Sequence, residues 1–265
     1  MKKFWFILTA LVATCFLVAC SGSQGVSPKM IKEKKKIVVA TESEFAPFEF
    51  KSLVNGKDTL VGADIELAKA IGEKLGVKVE FSVMSFDNVL ASVQSGKADV
   101  AIAGISVTDE RKKVYDFSDS YYTSENVVIV KKDKVNDYTS TDSLAKQTVG
   151  TQKGSVQETV AKKQISKASV VSLASNGEMI NELKSGQLQA VVLEKAIAEG
   201  YIAQNDDLTL ANFNLKSDGS DAYAVATRKG SDDLLKEINA VIKETKDSGK
   251  FDQWLKEAST YKQSK

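Results

Sequence analysis

The sequence predicts an α/β protein made of two lobes of similar construction. Strand and helix patterns alternate from Lys36 to Ala103, and the alternation begins again at Thr148. Short apolar strands that alternate with amphipathic helices are typical of sheets whose neighbouring strands run parallel. The segment Val93–Ala101 is also matched roughly 90 residues later by Leu183–Val191, since in each a helix ends at Ser-Gly and an apolar strand follows after three residues. Two lobes of the same build are the simplest explanation.

The first lobe is predicted from the periodicity of its apolar residues. β-branched runs indicate strands, and apolar residues three and four positions apart indicate helices. Residues Glu42–Phe50, with three phenylalanines around Pro47, are expected to form a loop. The predicted elements are strand Lys36–Thr41, helix Asp64–Leu75, strand Val77–Val83, a helix opened by Asp87 and ended at Gly96, and strand Asp99–Ala103.

The second lobe is predicted in the same way, and two capping boxes mark its helices. In a capping box a serine and a glutamate three residues later satisfy the free amides at a helix start. The predicted elements are strand Asn126–Val130, strand Thr148–Thr151, a helix opened by Ser155 and Glu158, strand Ser169–Leu173, a helix opened by Ser175 and Glu178 and ended at Gly186, and strand Gln189–Leu193, which ends on Glu194.

The C-terminal elements are expected to return to the first lobe. A strand over Asp221–Thr227, a helix over Ser231–Lys246 and a short helix over Phe251–Ala258 remain after the second lobe is complete. The predicted division is 37–125 and 222–265 for lobe 1, and 126–221 for lobe 2. Two segments therefore cross between the lobes, and two crossings make a hinge.

The N-terminus has the features of a secretion signal. Met1–Lys3 is basic, and the apolar run Phe4–Ala19 is shorter than the roughly twenty residues of a membrane span. Leu17–Cys20, followed by small polar residues, resembles the lipobox of bacterial lipoproteins, in which cleavage precedes the cysteine and that cysteine is diacylated. We therefore expect a signal peptide over 1–19, then a lipidated Cys20 and a flexible tether over 20–36.

The composition excludes several classes of site. The chain has no histidine, which removes the usual acid/base group at neutral pH and the commonest zinc ligand. Its two cysteines, Cys15 and Cys20, both lie in the first twenty residues, so the body has no thiol nucleophile, disulfide or cysteine metal site. A net charge of +1 gives no indication of a nucleic-acid partner. We expect neither a metal nor a cofactor.

A candidate anion-binding motif follows the third predicted strand of lobe 1. Gly104 allows a backbone to approach a ligand closely, and Ser106 adds a hydroxyl. Thr108 and Asp109 are suited to capping a short helical turn, and that turn carries Arg111. An arginine at the carboxyl end of a strand is suited to a two-point contact with a carboxylate, although a surface arginine on a polar turn gives the same pattern.

Six motifs stand out along the body, and together they resemble one known family. They are Ala40–Phe50, Val61–Ile65, Phe86–Asp87, Ala103–Arg111, Tyr115–Ser118 and Gln152–Ser155. In this combination they resemble the solute-binding proteins of polar amino-acid ABC importers, bacterial extracellular solute-binding proteins of family 3. The resemblance covers essentially the whole body and implies the type II periplasmic-binding-protein fold, in which two α/β lobes are joined by a two-segment hinge.

The resemblance implies that the lobes share the carboxylate of an amino acid. Arg111 would contact the α-carboxylate with two donors, assisted by the hydroxyl or amide of Ser106. Free N–H groups of Ser155 and Val156, at a helix start, would complete the contact.

It also implies partners for the α-ammonium of the ligand. These would be the carbonyl of Gly104, Ser106 and an acid from lobe 2. That acid falls on Glu194, where the family often has the shorter aspartate, so the longer side chain must be accommodated.

The ligand side chain would lie between two aromatic rings. Phe45 and Phe86 would enclose it, and cation–π contact suits a guanidinium or an alkyl-ammonium. Glu42 would meet its far end, which favours arginine or lysine. Glu44 and Gln152 would either line the same end of the pocket or face solvent.

The implied function is capture of a basic amino acid, arginine first and lysine next, for delivery to an ABC permease. The protein is expected to be a monomer on the extracellular face of the membrane, anchored through Cys20 in a Gram-positive arrangement. A glutamine-binding protein is the alternative, because glutamine-binding relatives also carry an acid at the position of Glu42. Dehydratases share the fold, but no histidine or body cysteine supports catalysis, so we expect no enzyme. A sensor is disfavoured because no transmembrane segment or signalling domain follows the body.

Overall fold

The computed structural model describes residues 25–216, 219 and 221–263. The predicted signal peptide and Cys20 lie outside these residues. No helix in the described ranges is long and apolar enough to cross a membrane. The helices of the described part are α1 (Pro28–Lys34), α2 (Ala63–Leu75), α3 (Phe86–Gln94), α4 (Asp109–Lys112), α5 (Val156–Gln164), α6 (Asn176–Ser185), α7 (Lys195–Ala203), α8 (Asp232–Asp247) and α9 (Lys250–Ala258).

The strands of the described residues form two five-stranded sheets and two smaller ones. They are β1 (Lys36–Thr41), β2 (Glu44–Phe45), β3 (Glu49–Val54), β4 (Lys57–Val61), β5 (Lys78–Val83), β6 (Val100–Ala101), β7 (Tyr115–Phe117), β8 (Tyr122–Thr123), β9 (Asn126–Lys131), β10 (Thr148–Gln152), β11 (Ser169–Leu173), β12 (Ala190–Glu194), β13 (Leu208–Leu210), β14 (Ala222–Tyr223) and β15 (Ala226–Arg228).

The two large sheets have the same arrangement, which confirms the predicted two-lobed α/β fold. In lobe 1 the order is β5-β1-β6-β15-β7, and in lobe 2 it is β11-β10-β12-β9-β13. The first three strands of each sheet are parallel, and the fourth runs antiparallel to the third. The matched Ser-Gly segments therefore precede equivalent strands, β6 and β12.

The C-terminal elements pack with lobe 1. Strand β15 lies between β6 and β7 in the lobe 1 sheet, and α8 and α9 both pack on α2. Leu234, Ile238 and Ile242 form the buried face of α8. Between the lobes, β8 pairs with β14, so the two crossing segments are joined by backbone hydrogen bonds.

Three local expectations differ from the structure. The expected loop at Glu42–Phe50 contains β2 and the start of β3, because Asn55-Gly56 supplies two positive-φ residues that turn β3 into β4. The expected strand Asp221–Thr227 is divided into β14 and β15, since its pairing changes from the crossing segment to the lobe 1 sheet. Helix α7 was not expected from the sequence.

The tether expected over 20–36 is corrected for its described part, because that part is folded. Ser27 caps α1 by accepting a hydrogen bond from the Met30 amide at 3.3 Å, and Pro28 begins the helix. Ile31 is fully buried, and the Val26 amide donates to Ser231 Oγ at 2.8 Å. The chain is thus attached to lobe 1 from about residue 25 onward.

The lobes contact each other directly on the side of Arg111. Lys153 Nζ of lobe 2 lies 2.9 Å from Asp87 Oδ2 of lobe 1. Arg111 Nη2 donates to the Gly154 carbonyl at 3.1 Å. The structure therefore shows the lobes in a closed arrangement.

Glu44 makes a second set of contacts between the lobes. Its Oε2 atom accepts hydrogen bonds from Ser175 Oγ at 2.5 Å and from the Gly177 amide at 2.9 Å, both at the start of α6. Tyr201 Oη donates to the Glu44 carbonyl at 3.2 Å. A carboxylate at a helix N-terminus is stabilised by the free amides and the helix dipole, so Glu44 favours closure without a ligand.

We predict that Ile31→Ala lowers the free energy of unfolding by about 2–4 kcal/mol, because it removes a buried side chain under α1. Chemical denaturation measures this change. Lys32→Ala, at the exposed neighbouring position, is the control and should change it by less than about 0.5 kcal/mol. Equal stability of Ile31→Ala and the wild type would contradict the packing of α1.

We predict that Glu44→Ala opens the unliganded protein. Losing a charge-assisted contact shifts the equilibrium toward open forms by about tenfold. Pulsed electron paramagnetic resonance would measure the interlobe distance between labels on Glu73→Cys and Lys163→Cys, which are exposed positions on α2 and α5. Glu80→Ala, whose ion pair with Lys36 lies within lobe 1, is the control. Identical distance distributions for Glu44→Ala and the wild type would refute the prediction.

Candidate binding site between the lobes

The lobe 1 wall begins at Gly104, just after β6. Its φ of +54° suits glycine, and a Cβ atom there would lie 2.5 Å from Cε1 of Phe45. The Gly104 amide donates to Asp64 Oδ2 at 3.0 Å. The ring on one side and the carboxylate on the other fix this backbone, and they leave no space for a side chain.

Arg111 is held by its own helical turn. Thr108 caps α4, because its hydroxyl oxygen accepts a hydrogen bond from the Arg111 amide at 3.1 Å. The guanidinium donates from Nη1 to the Ser106 carbonyl at 2.8 Å, and its Cζ lies 5.8 Å from the centroid of the Phe86 ring. Burial lowers the pKa of Arg111 to about 10, while the charge of Glu194 opposes that change. The group therefore remains a cation at neutral pH.

The two aromatic rings both belong to the lobe 1 wall. Phe45 and Phe86 are buried, and Phe86 begins α3. Phe45 packs 5.9 Å from Phe48 and 6.3 Å from Tyr223, measured between ring centroids. One ring therefore supports Gly104 and the other supports Arg111.

The lobe 2 wall is formed where β10 leads into α5. Ser155 caps α5, since its Oγ accepts from the Glu158 amide at 3.3 Å and donates to the Gln152 carbonyl at 2.7 Å. The Ser155 amide also donates to the Gln152 carbonyl, at 3.2 Å. The expectation of a free Ser155 amide is therefore wrong, because the tight turn after β10 engages it. Val156 is the first residue of α5, where helix geometry gives the amide no partner within the helix.

Glu42 and Gln152 meet across the cleft. Glu42 follows β1, and Gln152 Nε2 donates to its two carboxylate oxygens at 3.1 and 3.0 Å. Burial raises the pKa of Glu42 to about 8, Gln152 lowers it, and the charges of Glu44 and Glu194 raise it further. Gln152 therefore faces the cleft, whereas the carboxylate of Glu44 contacts α6.

Glu194 is the second buried acid, at the end of β12. It is 6 % exposed, close to the 4 % of Glu42. Burial raises its pKa to about 7, and hydrogen bonding with Tyr223 and Gln157 and the charge of Arg111 lower it. Two buried carboxyl groups thus share a cleft with one guanidinium.

The ten residues expected at the site lie near the facing edges of the two lobes, and their role in binding a ligand stays a prediction. They come from the carboxyl ends of parallel strands, or from the segments that follow them, where ligands bind in open α/β sheets. The set is Glu42, Phe45, Phe86, Gly104, Ser106, Arg111, Gln152, Ser155, Val156 and Glu194. Within the described residues, no group of three or more acidic or cysteine side chains is placed to hold a metal.

Sequence reasoning missed the residues that support the walls. Asp64 accepts from the Gly104 amide and from Tyr121 Oη at 2.8 Å. Tyr223 is fully buried among Phe45, Phe48 and other aromatic rings. Asp64 stood within a motif, but as a helix-start residue it gave no sign of its contact with Gly104, 40 positions away.

Comparisons with known proteins identify the family of this chain. Residues 37–258 match the family described as bacterial extracellular solute-binding proteins, family 3. The arginine-binding extracellular protein ArtP of Bacillus subtilis is 34% identical over 261 residues, which cover 97% of each chain. The glutamine-binding protein GlnH of the same organism is 32% identical and covers 97% of this chain and 98% of its own.

A solved structure gives the same result. The amino acid ABC transporter substrate-binding protein AbpA from Streptococcus pneumoniae, bound to L-arginine, is 50% identical. It superposes with a TM-score of 0.86 over 89% of this chain and 100% of its own. On these matches, this chain belongs to family 3 of the bacterial extracellular solute-binding proteins.

Proposed function

We propose that this protein captures a basic amino acid, arginine first and lysine next, for an amino-acid ABC importer. The observation that carries the proposal is the charge of the closed cleft. Arg111 supplies one positive charge, while Glu42 and Glu194 supply two carboxyl groups whose pKa values burial raises to about 8 and about 7. A buried charge needs a partner, so this cleft suits a ligand with one carboxylate and two cations.

A basic amino acid pairs every one of these groups. Its α-carboxylate meets Arg111, assisted by Ser106 and the amide of Val156. Its α-ammonium meets Glu194, the Gly104 carbonyl and Ser106, and its side-chain cation meets Glu42. Glutamine lacks the second cation and would offer Glu42 only uncharged amide donors, its own beside those of Gln152.

The side chain of the ligand contacts apolar surfaces between its backbone end and Glu42. Phe45 and Phe86 line this part of the wall, and an aromatic face attracts a cation. This arrangement favours a guanidinium or an alkyl-ammonium stem over a short polar side chain.

Closure follows from the division of the site. Arg111 and Glu42 lie on lobe 1, and Glu194 lies on lobe 2, so an amino acid contacts both lobes only when they are closed. The ligand stabilises the closed form by its greater affinity for that form. Affinity in the micromolar to submicromolar range, about −8 to −10 kcal/mol, is expected of such a charge-paired site.

The proposed function also specifies where the protein acts and which partners it has. The family is extracellular. We place this member at the membrane surface as a monomer, anchored through a diacylated Cys20 in a Gram-positive arrangement and delivering its ligand to an ABC permease. We also propose that it returns its ligand unchanged and is not an enzyme.

Calorimetric titration of the body from Ser21 onward tests the substrate class. Arginine and lysine should bind tightly, and glutamine at least about a hundredfold more weakly, a difference of about 2.7 kcal/mol. Glu42→Gln is the matched variant and should reduce the preference for arginine over glutamine. Tight glutamine binding would reassign the substrate. Absence of binding for all three amino acids, or a chemical change in the recovered ligand, would reject the function.

Arg111→Ala should weaken arginine binding at least about a hundredfold, because it leaves a desolvated carboxylate without its partner. The same titration measures this loss. Lys112→Ala, on the exposed side of α4, is the control and should bind as the wild type does. Affinity within threefold of the wild type for Arg111→Ala would contradict the assignment of the carboxylate.

Arginine affinity should rise with pH. Because burial raises the pKa of Glu42 in the unliganded closed protein, the protonated side chain is the form that suits this state. The stability that Glu42 contributes is complete below its ordinary pKa of 4.5 and is lost as the pH rises toward about 8. Two ligand cations stabilise the ionised carboxylates, so the affinity measured by titration should increase about tenfold between pH 5.5 and pH 8. Glu42→Gln should remove most of this increase. A flat profile for the wild type would argue against pairing of the ligand cations with these acids.

A further inference from the structure

Two acidic side chains, Glu49 and Asp64, are buried together beneath the lobe 1 wall. Their exposed fractions are 0% and 1%. The Asp64 amide donates to the Phe48 carbonyl at 2.9 Å, which ties the first turn of α2 to the start of β3. This backbone contact places the two carboxyl groups close enough for each to shift the pKa of the other.

The hydrogen bonds of the pair are incomplete if both groups are ionised. Asp64 Oδ2 accepts from the Gly104 amide at 3.0 Å and from Tyr121 Oη at 2.8 Å. Within the described residues, Asp64 Oδ1 and both carboxyl oxygens of Glu49 have no donor. Two buried anions in contact repel each other, and each unpaired oxygen adds a desolvation penalty. One proton on Glu49 turns one of its oxygens into the donor for Asp64 Oδ1 and removes one of the two charges, so that of these three oxygens only the uncharged carbonyl oxygen of Glu49 lacks a donor.

We propose that Glu49 and Asp64 share one proton, which Glu49 donates to Asp64 Oδ1, and that this pair is the positioning element that holds Gly104 in the conformation used for binding. Asp64 then accepts three hydrogen bonds, from Glu49, Tyr121 and Gly104. The second half of the proposal rests on the proposed function, since there the Gly104 carbonyl faces the ligand's ammonium.

The electrostatic surroundings place the proton on Glu49. Burial raises the pKa of Glu49 well above its ordinary value, and the charges of Asp64, Glu42 and Glu194 raise it further. Burial also raises the pKa of Asp64, to about 6, whereas its bonds with Gly104, Tyr121 and Glu49 lower it. At neutral pH, Asp64 is therefore the ionised member of the pair.

The position of Gly104 explains why this pair matters for binding. The Phe45 ring closes one side of the residue, where even a Cβ atom would clash. The bond to Asp64 fixes the amide on the other side, so the carbonyl has little freedom to turn. A carboxylate that lacks its third donor would shift toward another partner and release the Gly104 amide.

The test compares Glu49→Gln with Glu49→Ala in the full chain. The glutamine amide still donates to Asp64 Oδ1, whereas alanine removes the donor. Glu49→Gln should bind arginine within about threefold of the wild type, and Glu49→Ala at least about tenfold more weakly. Glu73→Gln, at an exposed position on α2, is the control. A Glu49→Gln protein that loses as much affinity as Glu49→Ala, or fails to fold, would overturn the proposal.

Two measurements need no ligand. The infrared difference spectrum of the wild type minus Glu49→Gln at pH 7 should contain the C=O stretch of a protonated carboxylic acid, and absence of that band would overturn proton sharing. The Gly104 amide resonance should shift in Glu49→Ala but not in Glu49→Gln. An equal shift in both variants would overturn the positioning role. Both results stand even if arginine does not bind, so failure of the proposed function is distinguishable from failure of this inference.

Discussion

The cleft depends on a partly buried guanidinium that contacts both lobes. Arg111 donates to the Ser106 carbonyl on its own lobe and to the Gly154 carbonyl on the other, and Phe86 lies beneath it. Burial raises the pKa values of Glu42 and Glu194, and one cation does not balance two carboxyl groups. The closed protein therefore holds an excess of buried acid, which the second cation of the proposed ligand would balance.

The repeated architecture explains why the site is divided between the lobes. Each sheet has the same strand order, and each contributes residues from the carboxyl ends of its parallel strands. Glu42 follows β1 in one lobe, and Gln152 ends β10, the equivalent strand of the other lobe. Glu194 ends β12, which is equivalent to β6. Closing the hinge brings the two edges together, so a complete set of partners exists only in the closed form.

The sequence was sufficient to predict the two lobes and most strands and helices, because these follow from local periodicity and helix caps. The ten candidate site residues came from the family resemblance, and their role in binding stays a prediction. The supporting contacts were not predictable because they join distant residues, as with Glu44 and Ser175 across 131 positions or Asp64 and Gly104 across 40. Helix α1 was missed for a similar reason, since its lysine-rich sequence is typical of a linker and only the buried Ile31 attaches it to the body.

The folding of α1 changes how far the protein could move from the anchor that we propose at Cys20. With the body fixed from about residue 25, the chain between Cys20 and the body would span at most about 18 Å, less than half the reach of an unfolded segment up to residue 36. A domain held by so short a segment would diffuse in two dimensions along the bilayer. Its effective concentration at the proposed permease would therefore be high, and a modest affinity for that permease would be enough for repeated encounters.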